Sequence, residues 1–149
     1  MENFVVKVKR PVGRPTITPD TPDRIAKRKR DREAKARQVI RYRNKILEYG
    51  GGECKVTGTT DELEFHHLRP SEKSFDVSHV MSHSMEDLMA EADKCALICA
   101  EIHRKIHIEL ERRMAPMVAS GLYTPAELAA HKDLLCERIT MREIKQKGK

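Results

Sequence analysis

Residues 95–110 read CALICAEIHRKIHIEL, and they predict a buried strand that leads directly into a helix. The run Cys95-Ala96-Leu97-Ile98 is apolar and short, which favours a strand buried on both faces. Beyond it, apolar residues recur at the spacing of one helix face, namely Ile102, Ile106 and Leu110. His103 and His107 lie beside this stripe, and histidines four residues apart share a helix face. Their imidazoles can therefore converge on one divalent cation.

A second pair of histidines, His66-His67, closes the run LEFHH at residues 63–67. An imidazole from the end of this predicted strand would complete a set of three ligands and leave coordination positions open. Open positions distinguish a catalytic metal site from a structural one. The other histidine of the pair could then act as a general base. Together the four histidines predict a metal-dependent hydrolase.

Positive charge is concentrated in the N-terminal third of the chain. The 149 residues carry a net charge of +6. Residues 1–50 hold 15 Lys and Arg against 6 Asp and Glu, whereas the remainder holds 14 against 17. This asymmetry predicts a polyanionic partner that is contacted mainly through the N-terminal third. On charge alone, a solvated charged helix is the alternative.

Residues 1–20 are predicted to be a flexible basic arm, because three prolines and a glycine exclude a regular helix. The stretch Lys9-Arg10-Pro11-Val12-Gly13-Arg14-Pro15 resembles half of an AT-hook, which places a Gly-Arg-Pro backbone in the minor groove of A·T-rich DNA. Val12 occupies the position of the first arginine of the hook core. We therefore favour an unstructured arm that contacts phosphates nonspecifically, with Arg14 as a DNA-binding candidate.

A long basic helix is predicted over residues 21–49, with Asp20 or Thr21 as N-cap and Pro22 at the first position. The glycines at 50–52 end it. Its first part is almost uniformly charged and its apolar residues cluster in the last turns, so we expect a basic rod whose C-terminal end packs on the domain. The candidate DNA-contacting residues of this helix are Arg24, Lys27, Arg28, Arg30, Arg37, Arg41 and Arg43.

Residues 50–114 are predicted to form the core domain. A short β-hairpin is expected over residues 52–68, with strands at 55–56 and 63–65 and a turn at 58–61. A polar loop over 69–85 follows, and then a short helix over 84–93 with Ser84 as its cap. The helix that carries His103 and His107 is expected to run to about Arg113.

Residues 115–149 are predicted to be a C-terminal helical extension. Gly121 breaks the chain, and Thr124-Pro125-Ala126-Glu127 is a capping box that opens a last helix to about Lys145. The apolar residues of this helix suit packing on another helix, and the helix could serve as a homodimer face. Those residues are Leu128, Leu135, Ile139 and Met141.

The four cysteines form no regular disulfide framework. The sequence shows no signal peptide and no stretch that approaches the roughly 20 apolar residues of a transmembrane helix. We therefore expect a cytoplasmic protein with reduced thiols and no membrane partner. For Cys95 and Cys136 we expect the role of small buried apolar residues.

These motifs, in this order and spacing, resemble the HNH endonucleases, whose ββα-metal fold holds one divalent cation between a hairpin and a helix. Residues 63–75, LEFHHLRPSEKSF, are similar to the opening motif of a subgroup common in phages and mobile elements. Residues 93–107, DKCALICAEIHRKIH, are similar to its closing half. The resemblance covers residues 54–107, about a third of the chain, and implies metal-dependent cleavage of double-stranded DNA.

The resemblance assigns a role to each histidine. His66, His103 and His107 would be the metal ligands, and His67 would be the general base. Backbone carbonyls or Glu64 could orient His67, and the sequence does not choose between them. One divalent ion would suffice, with Mg²⁺ or Mn²⁺ favoured over Ni²⁺ or Zn²⁺. Arg69 and Arg104 could clamp the target phosphate.

The chain departs from the family pattern at two points. Lys94 occupies the position of the middle Asn, which usually ties a loop together, and we expect Lys94 to act in catalysis through a phosphate. Each of the family's two Cys-x-x-Cys pairs has lost its second cysteine, which leaves Cys54 and Cys99. Two thiolates do not make a closed zinc site, so no structural zinc is expected.

The sequence therefore predicts an α+β protein, with a small ββα-metal core flanked by a long basic N-terminal helix and a C-terminal helix. Its predicted function is that of an HNH-type DNA endonuclease. The alternative is a catalytically degenerate relative that keeps the fold and binds DNA without cutting it. Metal-dependent cleavage distinguishes the two.

Overall fold

The two strands of the sheet lie far apart in the sequence. In this computed structural model, which describes residues 21–146, β1 spans Leu63–His67 and β2 spans Cys95–Cys99. The strands pair antiparallel, with His66 opposite Ala96. Four helices accompany the sheet in the described residues, and the predicted α+β class is confirmed. They are α1 (Pro22–Tyr49), α2 (Met85–Ala92), α3 (Ala100–Ser120) and α4 (Pro125–Gln146).

The hairpin predicted over residues 52–68 is wrong. Instead of a first strand, residues 54–58 form a turn that is closed by a 2.8 Å hydrogen bond from Gly58 N to Cys54 O. Lys55 N donates to Leu97 O at 2.9 Å, so this turn bonds to the free edge of β2. All five residues of β2 are buried. Such a strand offers β1 more apolar contact than residues 55–56 could, which explains the long-range pairing.

Helix α1 crosses the boundary between two compact units, which lies between Ala34 and Lys35. In the first unit, the described side chains from residue 21 to Ala34 are all exposed. In the second unit, Ile46 is 1% exposed and packs in an apolar cluster with Val77, Val80 and Leu88. The prediction that the C-terminal end of this helix is the packed end is confirmed.

Helices α3 and α4 pack against each other through the main apolar cluster. Ile106, Leu110 and Met114 of α3 are buried with Cys136 and Ile139 of α4. The predicted partner of the last helix is thus α3 of the same chain. The capping box is confirmed, because Thr124 Oγ1 accepts from Glu127 N at 3.3 Å and Thr124 N donates to Glu127 Oε2 at 2.8 Å.

The helix that carries the histidine pair is longer than predicted. It continues beyond Arg113, through Pro116, to Ser120, and Gly121 caps it with a φ of 65°. Met114 is buried and Met117 packs against the same cluster, so packing on α4 favours the extra turns despite the proline. The predicted boundary between residues 114 and 115 therefore falls inside α3.

The short helix predicted over residues 84–93 is α2, and the Ser84 hydroxyl accepts from Asp87 N as its N-cap. Between β1 and α2, residues 70–72 form a single 3₁₀ turn within the expected loop. The predicted arm over residues 1–20, with Arg14, lies outside the described residues. Among residues 21–146, no helix combines the length and the apolar character that crossing a membrane requires.

Truncation of Ile106 should destabilise the fold strongly. Ile106 is 0% exposed at the centre of the α3–α4 cluster, and Ile→Ala in such a place costs about 2–5 kcal/mol. Urea unfolding of Ile106→Ala, followed by circular dichroism, measures this loss. Ile108→Ala is the matched control on the same helix. Its side chain is 60% exposed, and its change in unfolding free energy should stay within about 0.5 kcal/mol.

Candidate metal centre

Three imidazoles from two elements meet on one side of the sheet. His66 comes from β1, and His103 and His107 come from consecutive turns of α3. One ring nitrogen from each histidine lies within 4.8 Å of the other two, and the three residues form a possible metal-binding group among the described residues. The structure thus brings together the three histidines that the sequence nominated as metal ligands.

The spacing of His103 and His107 suits a single small cation. Nε2 of His103 and Nε2 of His107 lie 3.0 Å apart. Two nitrogens bound at about 2.1 Å to one ion would lie about 3.0 Å apart in octahedral geometry and about 3.4 Å apart in tetrahedral geometry. The ring of His66 meets both others edge-on, with centroid distances of 4.9 Å to His103 and 5.3 Å to His107. The three rings therefore converge rather than stack.

His103 is oriented by a carboxylate from the neighbouring strand. Its Nδ1 lies 2.5 Å from Oε2 of Glu64. When Nδ1 carries the proton and donates it to Glu64, Nε2 is left as the nitrogen with a free lone pair. Metal-binding histidines usually have such a carboxylate or carbonyl on the other ring nitrogen, which fixes both the tautomer and the ring. Glu64 was considered as an orienting residue for His67, but the structure places its carboxylate on His103 instead.

Loss of hydration lowers the pKa of two of the three imidazoles, those of His66 and His107. His66 is 3% exposed, and this burial, together with the neighbouring His103 and His107, lowers its pKa to about 3. Burial and then His103 also lower the pKa of His107. A metal ion needs the neutral imidazole, because the protonated ring has no free lone pair. His66 and His107 are therefore ready to bind a cation without first losing a proton at neutral pH.

His67, the predicted general base, faces the other side of the strand. Adjacent residues of a strand point to opposite faces, and Nε2 of His67 lies 2.8 Å from Oε1 of Glu91 on α2. The side chain of His67 is 10% exposed and that of Glu91 is 2% exposed. The structure therefore leaves His67 out of the three-imidazole cluster and pairs it with a carboxylate that sequence reasoning missed.

Lys94, which replaces the family's middle Asn, ties the loop after β1 to helix α2. Its Nζ donates to the Glu72 carbonyl and to Ser74 Oγ, both at 3.1 Å, and to Oε2 of Glu91 at 2.7 Å. A lysine cannot accept hydrogen bonds, but here the loop offers acceptors to its ammonium. The structure thus gives Lys94 a loop-tying role, and its predicted contact with a phosphate stays a prediction.

Arg69 and Arg104 were expected to clamp the phosphate, and they have different surroundings in the structure. Nε of Arg69 donates to Oε2 of Glu137 at 3.0 Å, and Nη1 donates to Oε1 of Glu72 at 3.4 Å. Arg104 is exposed on α3 and lines a cavity of about 410 Å³ together with residues of α4. Arg69 would have to leave its carboxylate partners to reach a phosphate, whereas Arg104 is exposed to solvent.

Helix α1 presents its basic side chains to solvent. The seven candidate DNA-contacting residues of this helix are all exposed. Exposed arginine and lysine side chains are able to contact backbone phosphates. They are Arg24, Lys27, Arg28, Arg30, Arg37, Arg41 and Arg43.

The four cysteines do not gather at one place. Sγ of Cys54 accepts from Thr57 N at 3.4 Å, and Thr57 Oγ1 lies 3.8 Å from Sγ of Cys99, so both of these cysteines contact one threonine. Burial opposes ionisation of Cys54, but hydrogen bonds from Thr57, Cys99 and Val56 outweigh it and lower the pKa of this thiol to about 7. Cys95 and Cys136 are buried, as expected.

Cys136 nevertheless adjoins the histidines. Its Sγ lies 3.3 Å from Nε2 of His66 and donates to the carbonyl oxygen of His67 at 3.5 Å. Burial raises the pKa of Cys136 to about 11, so the group is a thiol. Cys136 thus fixes α4 beside the metal candidates, a position that no local sequence pattern indicated.

No protein-family model, no curated protein and no solved structure matches the chain. The site itself is therefore the guide to function. Its geometry can provide a cation with three nitrogen ligands, and a separate pair, His67 and Glu91, extends from the same strand.

Glu91 is the functional candidate that the sequence analysis missed. The available signal was its position in α2, where Leu88, Glu91 and Ala92 share the buried face. An acidic residue on the apolar stripe of a short helix indicates a buried carboxylate with partners. Which partners it meets depends on the fold and could not be read from the chain.

Proposed function

We propose that the protein is a metal-dependent DNA endonuclease of the HNH type, which hydrolyses phosphodiester bonds in double-stranded DNA. The observation that carries this proposal is the convergence of His66, His103 and His107, with ligand nitrogens within 4.8 Å of one another. Three protein nitrogens leave coordination positions for a phosphate oxygen, as in catalytic metal sites. The resemblance of residues 54–107 to HNH enzymes supports the same chemistry.

The protein's own groups would divide the work of hydrolysis. His66, His103 and His107 would hold the cation, and Glu64 would keep His103 in the ligating tautomer. A bound divalent cation would supply Lewis-acid stabilisation of the charge that develops on the scissile phosphate and the leaving oxygen. His67 would take the proton from the attacking water as general base. Mg²⁺ and Mn²⁺ are the favoured ions, with Ni²⁺ and Zn²⁺ as the alternatives.

DNA binding would depend on the exposed basic side chains of α1. Exposed arginines and lysines neutralise backbone phosphates and release counterions, which makes the affinity fall steeply with salt. These contacts position the duplex without reading its sequence. Arg104, exposed on α3 next to His103 in the chain, would add a contact near the cluster.

Loss of two α1 arginines should weaken binding to every DNA sequence alike. We expect Arg37→Ala combined with Arg41→Ala to reduce the slope of log affinity against log salt by about 0.9 for each phosphate that the variant no longer neutralises. Fluorescence anisotropy with two unrelated duplexes over a salt series measures both effects. The matched control is Arg138→Ala combined with Lys145→Ala, which removes the same charge from α4. Equal weakening in both pairs would show that only net charge matters.

Cleavage of supercoiled plasmid tests the proposed function directly. Purified protein is incubated with EDTA, and then with Mg²⁺, Mn²⁺, Ni²⁺ or Zn²⁺ supplied separately. The proposal expects metal-dependent conversion to open-circular or linear DNA, and the ratio of these products tells whether one strand or both are cut. Plasmid that stays supercoiled with all four ions, while DNA still binds, would overturn the proposal.

A DNA-binding protein that does not cleave is the second candidate, and one observation favours it. Arg69 and Lys94, both nominated for catalysis, are engaged by the carboxylates of Glu137, Glu72 and Glu91. A degenerate relative could use such ion pairs for stability alone. This candidate expects a mobility shift of DNA and no products in the plasmid experiment.

A homodimer through α4 also stays a prediction. Leu134 is 56% exposed and Met141 is 38% exposed on this helix, so apolar side chains remain on its outer side. Sedimentation velocity of the wild type and of Leu134→Glu would show whether this face joins two copies.

A further inference from the structure

The carboxylate of Glu91 is nearly inaccessible to solvent, and the reaction proposed above assigns it no role. It is 2% exposed, and hydrogen bonds occupy both of its oxygens. Oε1 accepts from His67 Nε2 and from Ser74 N, both at 2.8 Å, and Oε2 accepts from Lys94 Nζ at 2.7 Å. A buried charge is tolerated only when its partners are this complete.

The protonation state of Glu91 decides the tautomer of His67. Burial would raise the pKa of the carboxyl, but hydrogen bonds from Lys94, Ser74 and His67 outweigh it and lower the pKa to about 2. An ionised carboxylate can only accept hydrogen bonds. Both oxygens of Glu91 also accept from obligatory donors, Ser74 N and Lys94 Nζ, so in the neutral ring of His67 Nε2 carries the proton of this contact and Nδ1 is the nitrogen that can accept one.

We propose that Glu91 is the positioning residue of the general base, which holds the imidazole of His67 as the Nε2–H tautomer with Nδ1 free to accept a proton. This inference rests on the proposed function. When Nδ1 takes a proton from water, the ring becomes a cation, and the adjacent carboxylate stabilises it without being protonated itself. The arrangement follows the physical logic by which a buried carboxylate orients and stabilises a catalytic histidine in hydrolases.

The surroundings of Glu91 keep it from turning away from His67. Ser74 N lies in the loop after β1, and Lys94 directly precedes β2. The carboxylate is therefore hydrogen-bonded both to the segment that follows β1 and to the residue before β2. Lys94 is itself fixed by the Glu72 carbonyl and by Ser74 Oγ. Lys94 therefore acts on His67 through Glu91. Lys94 can only donate hydrogen bonds, whereas an Asn at this position could also accept them.

A purely structural role of Glu91 predicts different results from a positioning role. If Glu91 only ties α2 to the loop, its replacement should lower stability and affect binding and turnover together. A positioning role predicts a fall in kcat while KM for DNA and the affinity for metal stay unchanged. The two roles also differ in what happens to the tautomer of His67.

The kinetic test compares Glu91→Gln with Glu143→Gln. Glu143 is the matched control because it is also buried, at 4% exposure, and pairs with Lys105 Nζ at 2.7 Å and Arg142 Nη2 at 3.1 Å, but with no histidine. We expect Glu91→Gln to lower kcat for plasmid nicking by about 10- to 100-fold, the usual effect of losing an orienting partner. Glu143→Gln should keep the kcat of the wild type. Equal kcat in the two variants would overturn the proposal.

The spectroscopic test needs no cleavage. Long-range ¹H–¹⁵N spectra of the ¹⁵N-histidine-labelled wild type report which ring nitrogen of His67 carries the proton. We expect the Nε2–H form in the wild type and in Glu143→Gln, and a mixture of tautomers in Glu91→Gln. A wild-type His67 in the Nδ1–H form would overturn the proposal even if every variant folds poorly. If the wild type cuts no DNA, the proposed function fails, and the spectra still decide whether Glu91 holds His67.

Discussion

We expect replacement of His67 by alanine to abolish cleavage of supercoiled DNA and to leave DNA binding at the level of the wild type. General-base catalysis contributes about 10²- to 10⁴-fold to a rate, so the nicking rate should fall by at least the lower figure. Binding should persist because the phosphate contacts are assigned to α1 and Arg104. Plasmid gels measure the rate, and fluorescence anisotropy measures the affinity.

The control for His67→Ala is a histidine outside the site. His131 lies exposed on α4, where its ring contacts Tyr123, and His131→Ala should cleave like the wild type. If His67→Ala loses binding as well as cleavage, the residue is structural, and its contact with Glu91 supports the loop. If His67→Ala still cleaves at the rate of the wild type, the base must be sought elsewhere.

Replacement of His103 by alanine should remove tight metal binding. Loss of an orienting partner of a ligand usually weakens metal affinity by about 10- to 100-fold, so loss of the ligand itself should exceed about 100-fold. Isothermal titration with Ni²⁺ and Zn²⁺ measures this, with one ion per chain expected for the wild type. The metal affinity of Glu64→Gln should lie between those of the wild type and of His103→Ala. In Glu64→Gln the His103 ring is still present, but its tautomer is no longer fixed.

An exposed histidine serves as the control for the metal measurement. His79 lies in the loop before α2, and His79→Ala should bind the ion with the affinity of the wild type. If His103→Ala keeps one tightly bound ion, the convergence of the three imidazoles is not a metal site. The proposed nuclease would then lose the observation on which it rests.

Local patterns in the sequence were sufficient for the helices. The apolar stripe on α3, the capping box of α4 and the Ser84 cap of α2 are short-range signals, and each helix begins where its signal predicted, although α3 continues past its predicted end to Ser120. The same stripe placed His103 and His107 on one helix face. The helical half of the candidate metal centre could therefore be predicted from residue spacing alone.

The strand pairing could not be predicted in this way. Nothing local distinguishes residues 55–56 from 95–99 as the partner of β1, because the choice depends on burial in the finished fold. The same reason concealed Glu91, whose two oxygens meet groups from the loop, from β1 and from Lys94. A buried polar residue is recognisable in a sequence only as an anomaly, and its partners are set by tertiary structure.

The pairing of β1 with β2 has a consequence for folding. His66 precedes the segment 68–94, and His103 and His107 follow it. The three imidazoles can therefore meet only after the two ends of this segment have come together. Loop closure has an entropic cost that precedes any gain from long-range contacts. A cation would bind the folded chain in preference to the unfolded one, and at a concentration 100 times its Kd it would stabilise the fold by about 2.7 kcal/mol. The concentration of the ion would thus affect the fraction of the protein that is folded as well as its proposed activity.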